Sequence, residues 1–218
     1  VRQTVRVDLL DTEALTRSAV VANNAMNRER RLSGPNSYAR ELGFDPSAFL
    51  RTRPGAAWLD LCCGAGHALR QAAEALPDNG ITLVGVDLVD HFAAPDAAGV
   101  AYVCAEWTTW DPGRRFDLIT CVHGLHYVGD KLEALRRAAS WLTDDGTFVA
   151  DCDLDGIALD RRTLLSSLRR NGFQYDARKR RITLTGRREV VFPFAYLGAD
   201  DHAGPNYTGQ PAVRSHYR

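Results

Sequence analysis

At 218 residues, with 45% hydrophobic and 25% charged side chains, the chain has the composition of one globular domain. Basic and acidic residues number 27 each, so the formal net charge is zero, which excludes a surface built wholly for polyanions. No apolar run approaches the roughly 18 residues of a membrane span, and the sequence does not begin with a signal-peptide core, so a cytoplasmic protein is expected.

Residues Asp11 to Leu32 are expected to form a helix, since Leu15, Ala19, Ala22 and Met26 recur at three- and four-residue spacings. Ser33-Gly34-Pro35 marks a turn, and a short helix follows from Asn36 to Gly43. Asp45-Pro46 starts another, with the carboxylate as cap and proline in the first turn. Arg53-Pro54-Gly55 is the clearest boundary. Residues 1–53 are therefore taken as a helical extension, 54–198 as the core and 199–218 as a tail.

Beyond that boundary, strand-length apolar runs alternate with amphipathic stretches of helix length. Strands are expected at Ala57 to Cys62, Thr82 to Asp87, Val100 to Glu106, Phe116 to Val122 and Gly146 to Asp153. Helices are expected from His67, Phe92, Lys131 (capped by Asp130, with Leu132, Leu135, Ala138 and Leu142 on one face) and Arg161 (capped by Asp160). This rhythm predicts an α/β fold, a doubly wound and mostly parallel sheet. Near the end, Gln174 to Leu184 and Arg188 to Leu197 flank Thr185-Gly186-Arg187 and must form an antiparallel hairpin.

The chemistry concentrates at strand ends. The first strand runs into Asp60-Leu61-Cys62-Cys63-Gly64-Ala65-Gly66 and then a helix, so Gly64 and Gly66 allow a sharp turn and close approach of a ligand. The second strand ends at Asp87, about twenty residues on, where doubly wound folds place an acid on ribose hydroxyls; Leu88 borders the same point. A nicotinamide fingerprint requires a third glycine where Leu69 stands. After the fourth strand, Cys121-Val122-His123-Gly124-Leu125-His126-Tyr127 sets two imidazoles at the strand mouth. His123 and His126 are the candidate bases, the alternative being hydrogen bonds to loop backbone.

From Ala57 to Leu197 the chain resembles the class I S-adenosylmethionine-dependent methyltransferases, in the hydrophobic–acid–hydrophobic lead into a glycine-rich turn, the acid closing strand two and the reversed final strand. Cys62 stands where many members have the first glycine. The resemblance implies a Rossmann-like seven-stranded sheet ending in an antiparallel hairpin under an N-terminal helical cap. It also implies S-adenosyl-L-methionine as donor and S-adenosyl-L-homocysteine as product. Gly64 and Gly66 would approach the methionine and ribose, Asp60 would orient the turn or the amino group, and Asp87 would hold the ribose. Glu106 would accept from adenine beside Trp107, with core burial competing for Trp107 and Trp110. Cys121 to His123 would lie beside the sulfonium.

The extension would lie over the cleft, Arg28 binding the methionine carboxylate and Tyr38 donating to it or lining the acceptor site; a solvated helix is the alternative. The tail would fold onto the rim or stay irregular. No Asn-Pro-Pro-Tyr motif and no acid follow the fourth strand, so a metal-free, in-line transfer is expected. The five cysteines lack paired metal spacing, so no structural zinc is expected. The expected acceptor is a small molecule such as a secondary metabolite, handled by a monomer or homodimer. Ten basic residues from Arg161 to Arg188 leave open an RNA or protein acceptor, or simply a solvated face. An NAD(P)-dependent oxidoreductase or a non-catalytic nucleotide-binding module is the alternative of another class.

Overall fold

The computed structural model describes residues 8–22, 29–77, 80–93 and 99–218. The chain opens with four short helices: α1 (Thr12–Thr16), α2 (Ala19–Ala22), α3 (Tyr38–Leu42) and α4 (Pro46–Arg51). Asp11, Ser37 and Asp45 cap α1, α3 and α4 by accepting from backbone N–H groups, and Gly43 ends α3 in the left-handed conformation. The continuous helix expected over Asp11 to Leu32 is thus broken at Arg17-Ser18, where the chain turns so that Leu15 and Val21 both bury. Residues 29–32 are not helical, and Met26 and Arg28 lie outside the described residues.

The core follows as β1 (Ala57–Leu61), α5 (His67–Ala75), β2 (Thr82–Asp87), β3 (Val100–Cys104), β4 (Phe116–Cys121), α6 (Lys131–Ser140), β5 (Leu142–Asp151), β6 (Ile157–Ala158), α7 (Arg161–Arg170), β7 (Gln174–Asp176) and β8 (Arg181–Thr185). Seven strands make one sheet in the order β3-β2-β1-β4-β5-β8-β7, with only β8 running against its neighbours. Central β1 is buried throughout because helices cover both faces. Its alternate residues feed two cores: Leu59 and Leu61 pack with Leu132, Leu135 and Ala138 of α6, while Trp58 packs with Leu69 of α5 and Leu50 of α4.

Two expectations are corrected here, while the helix expected from Phe92 runs into residues 94–98, outside the described residues; the Phe92 ring itself stacks on Tyr102, 4.7 Å between centroids. The terminal hairpin turns earlier than expected, through residues 177–180, because Asp176 accepts from the N–H groups of Arg178 and Lys179 (3.0 and 3.1 Å) and Arg180 takes a φ of 48°. The expected partner strand does not form over residues 188–195. The Asn171 side chain takes both backbone groups of Val191 (2.9 and 3.0 Å), standing in for a strand neighbour.

The chain then enters a second sheet, with β9 (Tyr196–Asp200) antiparallel to β10 (Arg214–Tyr217) and β6 on the far side of β10. Leu10 bridges Ala199 through two backbone hydrogen bonds (2.8 and 2.9 Å), and Leu15, Val21, Ala199 and Val213 form a small core. The N-terminal helices are therefore anchored to the C-terminal sheet. No described helix is long and apolar enough to cross a membrane.

Candidate active site

The loops after β1, β2, β3 and β4 all leave the sheet at its carboxyl edge and open a crevice with about 1040 Å³ of empty space, its mouth included. The N-terminal segment walls the other side with Thr12, Leu15, Val21, Arg30 and Tyr38.

The turn after β1 carries Cys62 at φ 58° and Gly64 at φ 60°. A left-handed cysteine is uncommon, and such strain gathers at functional loops. The turn is tied to β2: Cys63 N–H donates to Val86 O (3.1 Å) and Gly64 N–H to Asp87 Oδ2 (2.8 Å). Asp87 Oδ1 accepts from Val89 N–H at 3.2 Å, so the carboxylate is fixed between two loops, facing the crevice with Leu88. Gly66 stands behind. A Cβ there would run into the Tyr102 ring, whose hydroxyl donates to Gly66 O (3.1 Å). Its glycine requirement comes from packing, and Gly66 is not part of the crevice wall.

Asp60 is also displaced from its expected place. It is fully buried behind the turn, accepting from the Tyr38 hydroxyl and from Thr120 Oγ1, both at 2.6 Å. Burial pushes its carboxyl up to about 7 against those hydrogen bonds. Asp60 thus orients Tyr38, whose ring lines the crevice while its hydroxyl is already committed.

After β3, Glu106 Oε1 accepts from the N–H and the hydroxyl of Thr108. Oε2 is buried with no hydrogen-bond partner among the described residues, and so is Trp107 Nε1. Trp107 lines the crevice and packs on Trp141 (6.3 Å), whereas Trp110 packs edge-on against Trp141 (5.9 Å) away from it. Trp110 is partly buried at the edge of that core and does not line the crevice.

After β4 the expected residues separate. Cys121 is fully buried outside the crevice wall, where contact with Cys62 and burial push its thiol up; Val122 and His123 reach the crevice instead. All five cysteines are free. His126 turns away. It lines a second polar cavity with Lys131 and Asp153, its Nε2 is buried without a partner, and burial lowers it to about 3. A base of that kind is neutral and secluded, leaving His123 as the imidazole at the crevice.

His123, at φ 59°, has company that sequence reasoning missed. Its Nε2 lies 3.4 Å from Glu41 Oε2 and 3.8 Å from Asp151 Oδ2, and its N–H donates to Asp151 Oδ2 (3.2 Å). Glu41 Oε1 accepts from buried Arg30 at 2.8 Å. The adjoining imidazole and guanidinium hold Glu41 down at about 2, while burial raises Asp151. Asp151 closes β5 as Asp87 closes β2, and that parallel is the sequence feature that could have found it.

Arg30, Glu41 and His123 continue into an outer pocket walled by Lys179, Tyr207 and Thr208. The tail is held there: Tyr207 N–H donates to Asp153 (3.3 Å), and Arg180 pairs with Asp153 (2.9 Å) and lies over the Tyr207 ring.

A family profile described as a methyltransferase domain matches residues 36–172, from the lead into α3 to the end of α7. The chain belongs to this methyltransferase family. Similar solved structures include YjhP from E. coli (23% identity, 57% of this chain and 52% of that one, TM-score 0.44). Another is CalS10, an amino pentose methyltransferase of calicheamicin biosynthesis from Micromonospora echinaspora (25%, 54% and 51%, 0.44). A third is the sugar N-methyltransferase KedS8 from a Streptoalloteichus species (24%, 69% and 56%, 0.41). The matched region spans about half the length of these proteins. A search of curated protein sequences finds no significant match.

Proposed function

We propose that the chain transfers a methyl group from S-adenosylmethionine to a polar small molecule. The observation that carries this reading is Glu106 Oε2, a buried carboxylate oxygen with no donor among the described residues, in the crevice that Asp87 and Gly64 also line. Leaving such an oxygen unpaired costs about 1–3 kcal/mol, and the exocyclic amine of adenine is a donor of the right kind. Asp87 suits ribose hydroxyls, since each carboxylate oxygen accepts more than one hydrogen bond. Buried Arg30 takes the role expected of Arg28, holding the methionine carboxylate. The residues present therefore fit the donor.

Bound S-adenosylmethionine supplies a methyl group on a sulfonium, which departs as a thioether when an acceptor lone pair takes the methyl in line. The chain's own task is alignment, worth up to about 7–11 kcal/mol, together with acceptance of the acceptor's proton where it carries one. His123 lies where the donor crevice meets the outer pocket and is assigned that activation, a contribution of about 10²–10⁴-fold. Residues 1–53 serve as the lid, 54–198 as the donor-binding core, and 199–218 as the acceptor rim. The outer pocket, narrowed by lid and tail, favours a small acceptor.

Calorimetry with S-adenosylhomocysteine tests this. Asp87→Ala should weaken binding about tenfold or more. Unchanged affinity, or preference for a nicotinamide cofactor, would remove the reading. Incubation with deuteromethyl-labelled donor and a panel of small polar acceptors should then give labelled product.

A further inference from the structure

We propose that Glu41, His123 and Asp151 form a divalent-cation site at the junction of the donor crevice and the outer pocket. The expectation of a metal-free site rested on the lack of an acid in the loop after β4. Folding supplies two acids to that loop from elsewhere, one from α3 and one from the end of β5.

The spacing distinguishes a shared ion from a hydrogen-bonded dyad. A charge-assisted N–H···O bond closes to about 2.7–2.9 Å. Here the imidazole Nε2 stands 3.4 and 3.8 Å from the two carboxylate oxygens, too far for a strong bond to either. The three ligand atoms all lie within 4.8 Å of one another. Ligand atoms so close together can share one ion, since oxygen and nitrogen ligands stand roughly 2.0–2.6 Å from zinc-sized to calcium-sized ions. One imidazole with two carboxylates suits manganese or a similar first-row ion. Arg30 binds the other oxygen of Glu41, the kind of outer partner that orients a ligating carboxylate. Asp151 is 3% exposed, so its charge gains little from water and much from a cation.

The assignment rests on the methyltransferase reading and refines one part of it. In the metal-free protein the imidazole is the base. With the ion bound, the imidazole is a ligand, and an acceptor hydroxyl on the ion loses its proton to solvent more readily.

The test is a Mn²⁺ titration of chelator-treated full-length protein, followed by electron paramagnetic resonance, alongside S-adenosylhomocysteine calorimetry on the same samples. One saturable ion per chain is expected. Its affinity should fall about tenfold or more in Glu41→Gln and in Asp151→Asn and stay unchanged in Asp201→Asn, which alters the separate Asp200–Asp201–His202 group. Retained nucleoside binding in each variant establishes that it is folded. No saturable Mn²⁺ binding, or binding that survives both substitutions, would overturn the site while leaving the methyltransferase reading intact. Loss of nucleoside binding by the unsubstituted protein would instead refute that reading.

Discussion

The Tyr38 hydroxyl donates to Asp60 Oδ2 across 2.6 Å, and neither residue reaches water, at 3% and 0% exposure. One belongs to a lid helix and the other to the central strand, so this bond ties the cap to the core alongside the packing of Leu42 and Leu50 around Trp58. Tyr38→Phe should cost about 1–3 kcal/mol by leaving a buried acceptor unpaired, read as a lower urea midpoint with unchanged slope.

The same pair carries a pH signature. Asp60 titrates at about 7 when folded, against about 3.9 for a free aspartate, so the folded state holds the extra proton between those values. Its contribution is fully present below the unfolded value and is lost as pH rises through 7. Asp60→Asn should flatten the decline in stability between about pH 4 and 7; identical pH profiles for the two proteins would contradict a buried, protonatable Asp60.

Glu106→Gln turns an acceptor oxygen into one that is oxygen or N–H donor by rotamer. We expect S-adenosylhomocysteine to bind about tenfold more weakly, with less discrimination against analogues lacking the adenine amine.

For His123, replacement by alanine should lower turnover about 100-fold or more while leaving nucleoside affinity near the original, because the imidazole faces the acceptor side. His126→Gln should spare both quantities and act on stability instead. The folded His126 titrates at about 3, below the free value of about 6.5, so its contribution disappears as pH falls through that interval. The Gln variant should therefore resist acid better relative to its own stability at pH 7, measured by thermal unfolding between pH 4 and 7.

Gly66→Ala combines a left-handed φ of 76° with a collision against the Tyr102 ring. A loss of about 1–3 kcal/mol is expected, part of it recovered when Tyr102→Ala is added. Simple additivity in the double-mutant cycle would show that the ring is not the obstacle.

Local signals carried the strand ends: Asp60, Gly64 and Asp87 were legible because an apolar run, a glycine turn and a closing acid lie within a few residues of one another. Asn171 follows the last residue of α7, and no local signal announces that its side chain also pairs with Val191 twenty residues away. That side chain stands in for a strand neighbour, so residues 188–195 form no strand and the hairpin closes earlier, between β7 and β8. Glu41 was illegible for the same reason: it is not unusual in its own neighbourhood and gains meaning only when folding brings it to His123, whereas Asp151 carried the strand-end signal. His126 shows the converse, a residue conspicuous in sequence that one turn of 3-10 helix carries into a different cavity.

The pairing of Leu10 with Ala199 makes the two flanks of the chain a single wall, while the nucleoside-facing loops come from the middle. That wall borders both spaces, with Arg30 lining the crevice and the outer pocket alike. Exchanging residues 8–51 together with 196–217 between homologous proteins should retarget the enzyme, whereas exchanging either stretch alone would leave a mismatched seam.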